Sequence, residues 1–205
     1  MKILQLGKFY PPDFGGIETV MQSLTEDLNQ QNIQCDVLCS NSKNEYSEEK
    51  INGYVVYRTK SWGKYFSTSI SPQMIFKLRE IIDNYDIVHI HHPDPMATLA
   101  LYFANTKKVK IVVHWHADIV KQKIILLFYS FLQQWMLRKS NLIVTTSTKQ
   151  KNETKWLKNF QEKTVSIPIG INQNSLNVDK NQFNKIKNKY ADKEIIFSLG
   201  RHVYY

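Results

Sequence analysis

The stretch that decides the fold is Ile3-Leu4-Gln5-Leu6, which leads through Gly7 and a Pro11-Pro12 pair to Gly15-Gly16. A short, mainly apolar run of this kind is typical of a buried strand. Apolar residues then recur at steps of three and four over residues 17–28, which predicts an amphipathic helix. Glycine before a helix lets an anion approach the free N–H groups of its first turn. A plain strand-to-helix turn remains the alternative, because the spacing matches neither G-x-G-x-x-G nor the P-loop.

Along the rest of the chain, short apolar strands alternate with helices. Predicted strands cover residues 35–39, 54–58, 86–91, 110–114, 142–146, 164–167 and 195–199, and predicted helices cover 72–84, 95–104, 124–139, 148–157 and 181–190. Ser71 before Pro72 is typical of a helix N-terminus, and Ser147 with Gln150 matches a capping box. Residues 41–52 are predicted to be a polar loop. The alternation predicts an α/β fold, a mostly parallel sheet with helices on both faces.

Composition and charge narrow the class of protein. The 205 residues are 42% hydrophobic and 22% charged, as in a globular chain of one domain or slightly more. The net charge of +9 suits an anionic partner such as a nucleic acid, an acidic lipid or a nucleotide diphosphate. An AT-rich genome gives the same excess of lysine, so charge alone does not choose among these partners.

The cysteines and the N-terminus indicate a cytoplasmic chain. Cys35 and Cys39 share one face of a predicted strand but lie about 13 Å apart along it. A disulfide needs Cα atoms within about 7 Å, so two buried thiols in a reducing compartment are expected. Only a few strand-like residues separate Met1 from Gly7, so no signal peptide is predicted.

Ligands of a parallel α/β sheet bind at the carboxyl ends of its strands. Three predicted loops follow strand ends, at residues 7–16, 92–95 and 115–118. Five of the six histidines lie in or beside the last two loops, namely His89, His91, His92, His114 and His116. This end of the sheet is therefore the expected position of a functional site.

The histidines allow two interpretations. Two H-x-H pairs, at residues 89–91 and 114–116, could bind a metal ion in a metal-dependent hydrolase. Against this, strand alternation turns at least one member of each pair into a packed face, and no acidic ligand has a comparable spacing. We expect His89 and His91 to be core histidines satisfied by the backbone. His116 differs because it lies just past a strand end, with Asp118 two residues on.

Five segments, taken in order, point to a known family. They are Lys2–Glu18, Asp86–His91, His114–Asp118, Pro168–Asn172 and Leu199–Arg201. In this order they closely resemble the GT-B retaining glycosyltransferases of family 4, over essentially the whole chain. The resemblance implies two Rossmann-like domains that face each other across a cleft, the N-terminal one mainly for the acceptor. It also implies transfer of a sugar from a nucleoside-diphosphate sugar, with retained anomeric configuration and without a metal or other cofactor.

The resemblance assigns roles to individual residues. Gly15, Gly16 and Arg201 are expected to bind the diphosphate of the donor, and His116 is the expected active-site residue that contacts the donor sugar. Glu18, Asp94 and Asp118 are expected on the acceptor side.

The resemblance also divides the chain into parts. Residues 1–170 are expected to form the N-terminal, acceptor-side domain, 171–193 a linker with a helix, and 194–205 the first strand of a donor-binding domain. Relatives continue beyond this strand, so we expect this chain to be unable to transfer sugar alone. The alternatives are a non-catalytic acceptor-binding remnant or a split subunit. Nucleic-acid binding is not expected, because no recognition motif is present.

Residues 121–139 form a mainly apolar segment with basic ends, too short to span a bilayer. Burial against the sheet is the favoured interpretation. The alternative places Phe128, Tyr129 and Trp135 at a membrane surface, where relatives build lipopolysaccharide or O-antigen polysaccharide on lipid-linked acceptors. The expected location is the cytoplasm, and the alternative adds peripheral contact at the inner face of the cytoplasmic membrane.

Overall fold

The computed structural model describes residues 1–65, 68–119, 123–170, 179–191, 193–196 and 198, without the side chains of 123–128. The strands in these ranges are β1 (Lys2–Leu6), β2 (Gln34–Ser40), β3 (Ser47–Ile51), β4 (Tyr54–Thr59), β5 (Lys64–Tyr65), β6 (Thr68–Ser69), β7 (Ile87–His92), β8 (Lys110–Trp115), β9 (Leu142–Thr145) and β10 (Thr164–Ser166). The α-helices are α1 (Gly16–Gln30), α2 (Gln73–Ile81), α3 (Pro95–Phe103), α4 (Lys123–Lys139), α5 (Thr148–Glu153) and α6 (Lys180–Lys189). Residues Ile82–Asn84 and Lys155–Lys163 form 3₁₀ segments.

Eight strands form one sheet in the order β10-β9-β8-β7-β1-β2-β4-β3. All neighbours are parallel except β3 and β4. The register places Gln5 beside His89, and His91 beside His114. The prediction of a mostly parallel α/β sheet is confirmed, and its strand ends meet at one edge as parallel pairing requires.

The helices pack on both faces of the sheet, as predicted. One face carries a large apolar core, in which Leu6 and Ile90 meet buried side chains of α2, α3 and α4. On the other face Met21 of α1 packs against Val37 and Cys39. Cys35 and Cys39 are free thiols, fully buried as expected.

The predicted loop at residues 41–52 is wrong in part, because it contains β3. Asn52 and Gly53 both have positive φ angles, of 48° and 95°, and connect β3 to β4 as an antiparallel hairpin. Asn-Gly is a strong hairpin signal, and the charged sequence of β3 concealed the strand beside it.

The structure corrects the predicted cap at Ser71 and the last predicted strand, and it confirms the predicted cap at Ser147. The Ser71 hydroxyl does not cap α2, because its Oγ lies 2.7 Å from the Lys60 carbonyl oxygen and 2.8 Å from Thr59 Oγ1. Ser147 does cap α5, since its Oγ accepts the Gln150 N–H. Ile195 and Ile196, in the last predicted strand, are not in a strand, and Leu199 lies outside the described residues.

Contacts divide the chain into two units, Met1–Pro168 and Ile169–Tyr205. The first contains the eight-stranded sheet. In the second, Asp179 caps α6 by accepting the N–H groups of Asn181 and Gln182. Among the described helices, none combines the length and the apolar character needed to cross a membrane.

Candidate functional site

The glycine loop between β1 and α1 lies at the carboxyl edge of the sheet. Gly15 is the N-cap of α1, in extended conformation with φ −166°, and its carbonyl oxygen accepts both the N–H and the hydroxyl of Thr19. A Cβ at Gly15 would lie 2.2 Å from Glu18 Oε2, whereas a Cβ at Gly16 would meet nothing within 4 Å. The fold therefore leaves open space beside Gly16, at the start of a helix, where an anion is favoured.

Arg58 holds the first half of this loop. Its Nη1 donates to the Tyr10 carbonyl at 2.9 Å, its Nη2 donates to the Pro11 carbonyl, and its Nε lies 3.2 Å from Glu49 Oε1. The Arg58 side chain is 5% exposed, so these partners compensate for a buried charge. The role of Arg58 is not evident from the sequence, because its loop partners are 47 and 48 residues away along the chain.

Four histidines stack on one face of β7 and β8. The rings of His114 and His116 have centroids 4.1 Å apart with planes at 15°, and His89 and His114 stack at 5.5 Å and 3°. The centroid of the His91 ring lies 4.8 Å from that of His89 and 5.2 Å from that of His116. The two H-x-H pairs thus form one cluster, because alternate residues of a strand share a face and the two strands pair in register.

Both ring nitrogens of His91 form hydrogen bonds with side chains and not with the backbone. Its Nδ1 lies 2.9 Å from His116 Nε2, and its Nε2 lies 2.8 Å from Gln5 Oε1. The expectation of backbone partners for His89 and His91 is wrong, because backbone groups of a central strand are already used in the ladder. His89 Nε2 and both ring nitrogens of His114 are buried without a hydrogen-bond partner among the described residues.

Burial keeps this cluster neutral. It lowers the pKa of His89 and of His116 to about 3, with further lowering by neighbouring histidines. Burial also lowers the pKa of His114 to about 4 and that of His91 well below the ordinary value. At neutral pH each imidazole therefore has one N–H group and one lone pair.

A metal ion fits this cluster poorly. His91, His114 and His116 each bring a ring nitrogen within 4.8 Å of the others. Both nitrogens of His91 already have partners, however, and the other two rings are stacked nearly parallel. A metal ion binds in the plane of each imidazole ligand, and one point does not lie in two parallel planes. The expectation that the protein uses no metal stays a prediction.

His116 is fixed through its backbone as well as its ring. Its N–H donates to the His92 carbonyl at 3.0 Å, and its carbonyl accepts Gln150 Nε2 at 2.9 Å. Asp118 turns back toward the sheet, where its Oδ1 accepts the Trp115 indole N–H at 2.9 Å. The loop after β8 thus presents His116 in one defined position.

Asp94 caps α3 from the loop after β7. Its Oδ1 accepts the N–H groups of Met96 and Ala97, and its Oδ2 is buried with no partner in the described part of the chain. Burial, with a smaller contribution from the charge of Glu18, raises the pKa of Asp94 to about 6, against the opposing effects of its backbone hydrogen bonds and of the charge of Lys8. Asp94 and Glu18 are therefore electrostatic neighbours, and their acceptor-side roles stay predictions. Arg201 lies outside the described residues.

A mostly parallel α/β sheet with a glycine loop and a fixed histidine at its carboxyl edge defines a Rossmann-like domain. The sequence profile of Glycosyltransferase Family 4 matches residues 14–175, so the chain belongs to that family. It is 30% identical over 206 residues to the O-antigen chain mannosyltransferase C of Escherichia coli, covering all of this chain and 55% of that protein.

Solved structures share the fold. Sucrose-phosphate synthase (tll1590) from Thermosynechococcus elongatus superposes with a TM-score of 0.64 at 12% identity, over 91% of this chain and 53% of that one. Anabaena HepE in complex with UDP-glucose gives 0.61 at 15% identity, over 93% and 50%. The chain thus spans about half the length of these proteins, and the predicted GT-B type of fold is confirmed for it.

Proposed function

We propose that this chain supplies the acceptor-side half of a retaining glycosyltransferase. The enzyme would transfer a hexosyl group from a nucleoside-diphosphate sugar to a glycan or lipid-linked acceptor during synthesis of cell-surface polysaccharide. One observation carries the proposal: a neutral His116 is fixed at the same edge of the sheet as the open space beside Gly16. The E. coli relative is named as an O-antigen mannosyltransferase, and the HepE structure contains UDP-glucose, which supports a sugar-nucleotide donor.

In this proposal each residue has a role that follows from the chemistry of its functional group. The backbone N–H groups of Gly15 and Gly16 and the guanidinium of Arg201 bind the diphosphate, which carries more negative charge as it leaves. His116 orients the donor sugar near the reacting carbon, and its low pKa makes it a hydrogen-bonding group and not a source of charge. Glu18, Asp94 and Asp118 lie on the acceptor side, and the reaction needs no metal cofactor.

The test is calorimetric titration with UDP- and GDP-sugars, followed by an assay of sugar transfer. Both are run on the chain alone and with a separately supplied C-terminal half of the family. We expect donor binding and transfer in the mixture, and loss of at least 100-fold in transfer for His116→Ala. Acceptor binding without donor binding under both conditions would identify a non-catalytic binding protein instead.

A second part of the proposal is peripheral contact with a lipid surface at the inner face of the cytoplasmic membrane. Of the three aromatic residues predicted for this contact, Tyr129 is buried, Trp135 packs against the core, and the Phe128 side chain is outside the described set. Phe103 and Phe131 support the contact instead, because they are 54% and 64% exposed, and α4 ends with the basic residues Arg138 and Lys139.

Vesicle co-sedimentation tests this contact. Binding to vesicles of phosphatidylcholine with phosphatidylglycerol is expected to fall several-fold in Phe131→Ser, because an inserted ring loses its apolar surroundings. Phe183→Ser on α6, at a site 55% exposed, is the matched control and should leave binding unchanged. Equal losses in both variants would contradict the assignment of this surface.

A further inference from the structure

Gln5, His91 and His116 form a line of hydrogen bonds that runs from the centre of the sheet to its carboxyl edge. Gln5 is fully buried and His91 is 1% exposed, whereas His116 is partly exposed. The three side chains come from β1, from β7 and from the loop after β8. The line therefore connects a central strand to the residue proposed to contact the donor sugar.

The atoms in this line decide which nitrogens carry protons. Gln5 Oε1 is an oxygen without a proton, so His91 Nε2, at 2.8 Å, must be the donor. A neutral imidazole has a single N–H, so His91 Nδ1 is an acceptor, and His116 Nε2 at 2.9 Å must donate to it. The Nδ1 atom of His116 is then left with a lone pair.

The surroundings maintain this arrangement. Burial and the neighbouring rings of His114 and His89 lower the pKa of His116, so a second proton is excluded at neutral pH. Stacking of His114 against His116 at 4.1 Å holds the plane of the His116 ring. The carboxamide of Gln5 also lies close enough to Cys35 to lower the pKa of that thiol, against the larger effect of burial, which raises it.

We propose that Gln5 and His91 are positioning residues that hold His116 as the neutral Nε2–H tautomer, so that its Nδ1 atom accepts a hydrogen bond from a hydroxyl group of the ligand. A diphosphate oxygen has no proton to donate at neutral pH, whereas every sugar hydroxyl has one. His116 therefore selects the sugar part of a sugar nucleotide and contributes nothing to binding of its diphosphate. The identity of this ligand rests on the proposed function, but the tautomer does not.

The first test reads the tautomer directly. Two-bond ¹H–¹⁵N correlation spectra of the ¹⁵N-labelled protein at pH 7, without ligand, distinguish an Nδ1–H from an Nε2–H imidazole and both from imidazolium. We expect the Nε2–H form for His91 and for His116. An Nδ1–H form or an imidazolium at His116 would overturn the proposal, whatever the protein binds.

A pair of variants then tests the role of Gln5. Gln5→Leu removes the acceptor for His91 Nε2, and His116 should change from one tautomer to a mixture. His89→Leu is the matched control on the same face, because it removes a stacked ring that has no bond in this line, and the tautomer of His116 should persist. An unchanged His116 spectrum in folded Gln5→Leu would overturn the role of Gln5, and the wild-type spectrum stays decisive if that variant does not fold.

Ligand binding separates this proposal from the proposed function. Calorimetry is run on the chain mixed with the separately supplied C-terminal half, with a sugar nucleotide and with the matching nucleoside diphosphate. Gln5→Leu should weaken binding of the sugar nucleotide by about tenfold, the loss expected for one hydrogen bond, and leave binding of the diphosphate unchanged. Equal weakening of both ligands would overturn the selection of sugar by His116. Failure of both ligands to bind the mixture made with the wild-type chain would contradict the proposed function, while the tautomer result stands.

Discussion

The two faces of the central sheet are made by alternate residues of the same strands, yet they differ in chemistry. On one face Leu6, Ile90 and Trp115 are at most 1% exposed and belong to the apolar core. On the other face Gln5 and His91 are buried to the same degree but take part in a polar network. The comparison shows that burial alone does not identify the residues that hold the fold together.

The polar face carries an energetic cost that the apolar face does not. Gln5 Nε2, His89 Nε2 and both ring nitrogens of His114 lack a hydrogen-bond partner among the residues described. Buried polar groups without partners each cost on the order of 1–3 kcal/mol. We infer that burial of side chains on the apolar face provides the free energy that offsets this cost.

We expect low pH to have the largest effect, a loss of folding stability through the buried histidines. Burial lowers the pKa values of five histidines, namely His89, His91, His92, His114 and His116. Their unfolded-state pKa values are about 6.5, so below that pH the unfolded chain binds more protons and stability falls. Asp94 acts in the opposite direction, because its raised pKa of about 6 makes the folded state bind a proton first.

The five histidines outweigh Asp94. Each histidine lowers the free energy of unfolding by up to about 1.4 kcal/mol for each pH unit of acidification. We expect stability to be fully present above about pH 6.5 and to fall by several kcal/mol by about pH 5. Urea unfolding followed by circular dichroism at several pH values measures this. Constant stability from pH 7 to pH 5 would show that these five histidines are open to water.

A matched pair of substitutions on β7 tests whether the two faces of the sheet contribute differently to stability. Ile90→Ala removes a fully packed side chain from the apolar face and should cost about 3 kcal/mol in free energy of unfolding. His89→Leu, one residue away on the polar face, replaces an unpartnered ring nitrogen and should change stability by less than about 1 kcal/mol at pH 7. Denaturant titrations compare the two variants, and equal losses would remove the distinction between the faces.

Arg58 tests whether the glycine loop depends on the body of the sheet. Arg58→Met keeps most of the volume of the side chain but leaves the Tyr10 and Pro11 carbonyls and Glu49 without their partner. We expect a loss of about 2 kcal/mol in the free energy of unfolding and faster hydrogen exchange of the loop amides at residues 10 and 13–16. Exchange that increases equally throughout the sheet would indicate a global effect and not loosening of the loop.

Gly16→Ala should have the smallest effect on stability and a clear effect on binding. A Cβ at this position meets no protein atom within 4 Å, so stability should change by less than about 0.5 kcal/mol. The added methyl group occupies the space proposed for the diphosphate, so calorimetry should show at least tenfold weaker donor binding. Unchanged donor binding would place the diphosphate elsewhere.

The sequence predicted the strands and the helix cap that depend on local sequence patterns. The apolar runs located β1, β7 and β8 within a residue or two, and Ser147 with Gln150 predicted the cap of α5. The glycine loop at residues 15–16 also lies at the carboxyl edge, where parallel pairing places strand ends.

The sequence did not predict contacts that require register between distant strands. Gln5 interrupts an apolar run, but its partner His91 lies 86 residues away, so the hydrogen bond follows only from the pairing of β1 with β7. Ser71 satisfied a local helix signal, yet its hydroxyl contacts Lys60 because the preceding hairpin brings that carbonyl close. Local patterns specify elements, and tertiary pairing specifies the polar partners.

The short hairpin strand β3 has a consequence for solubility. It ends the sheet on one side with Glu48, Glu49 and Lys50, all exposed and paired antiparallel to β4. An apolar strand at this position would offer unpaired N–H and C=O groups to another molecule, and charged side chains disfavour such pairing. The strand that supplies Glu49 to Arg58 thus also protects a sheet of otherwise apolar strands from edge-to-edge aggregation.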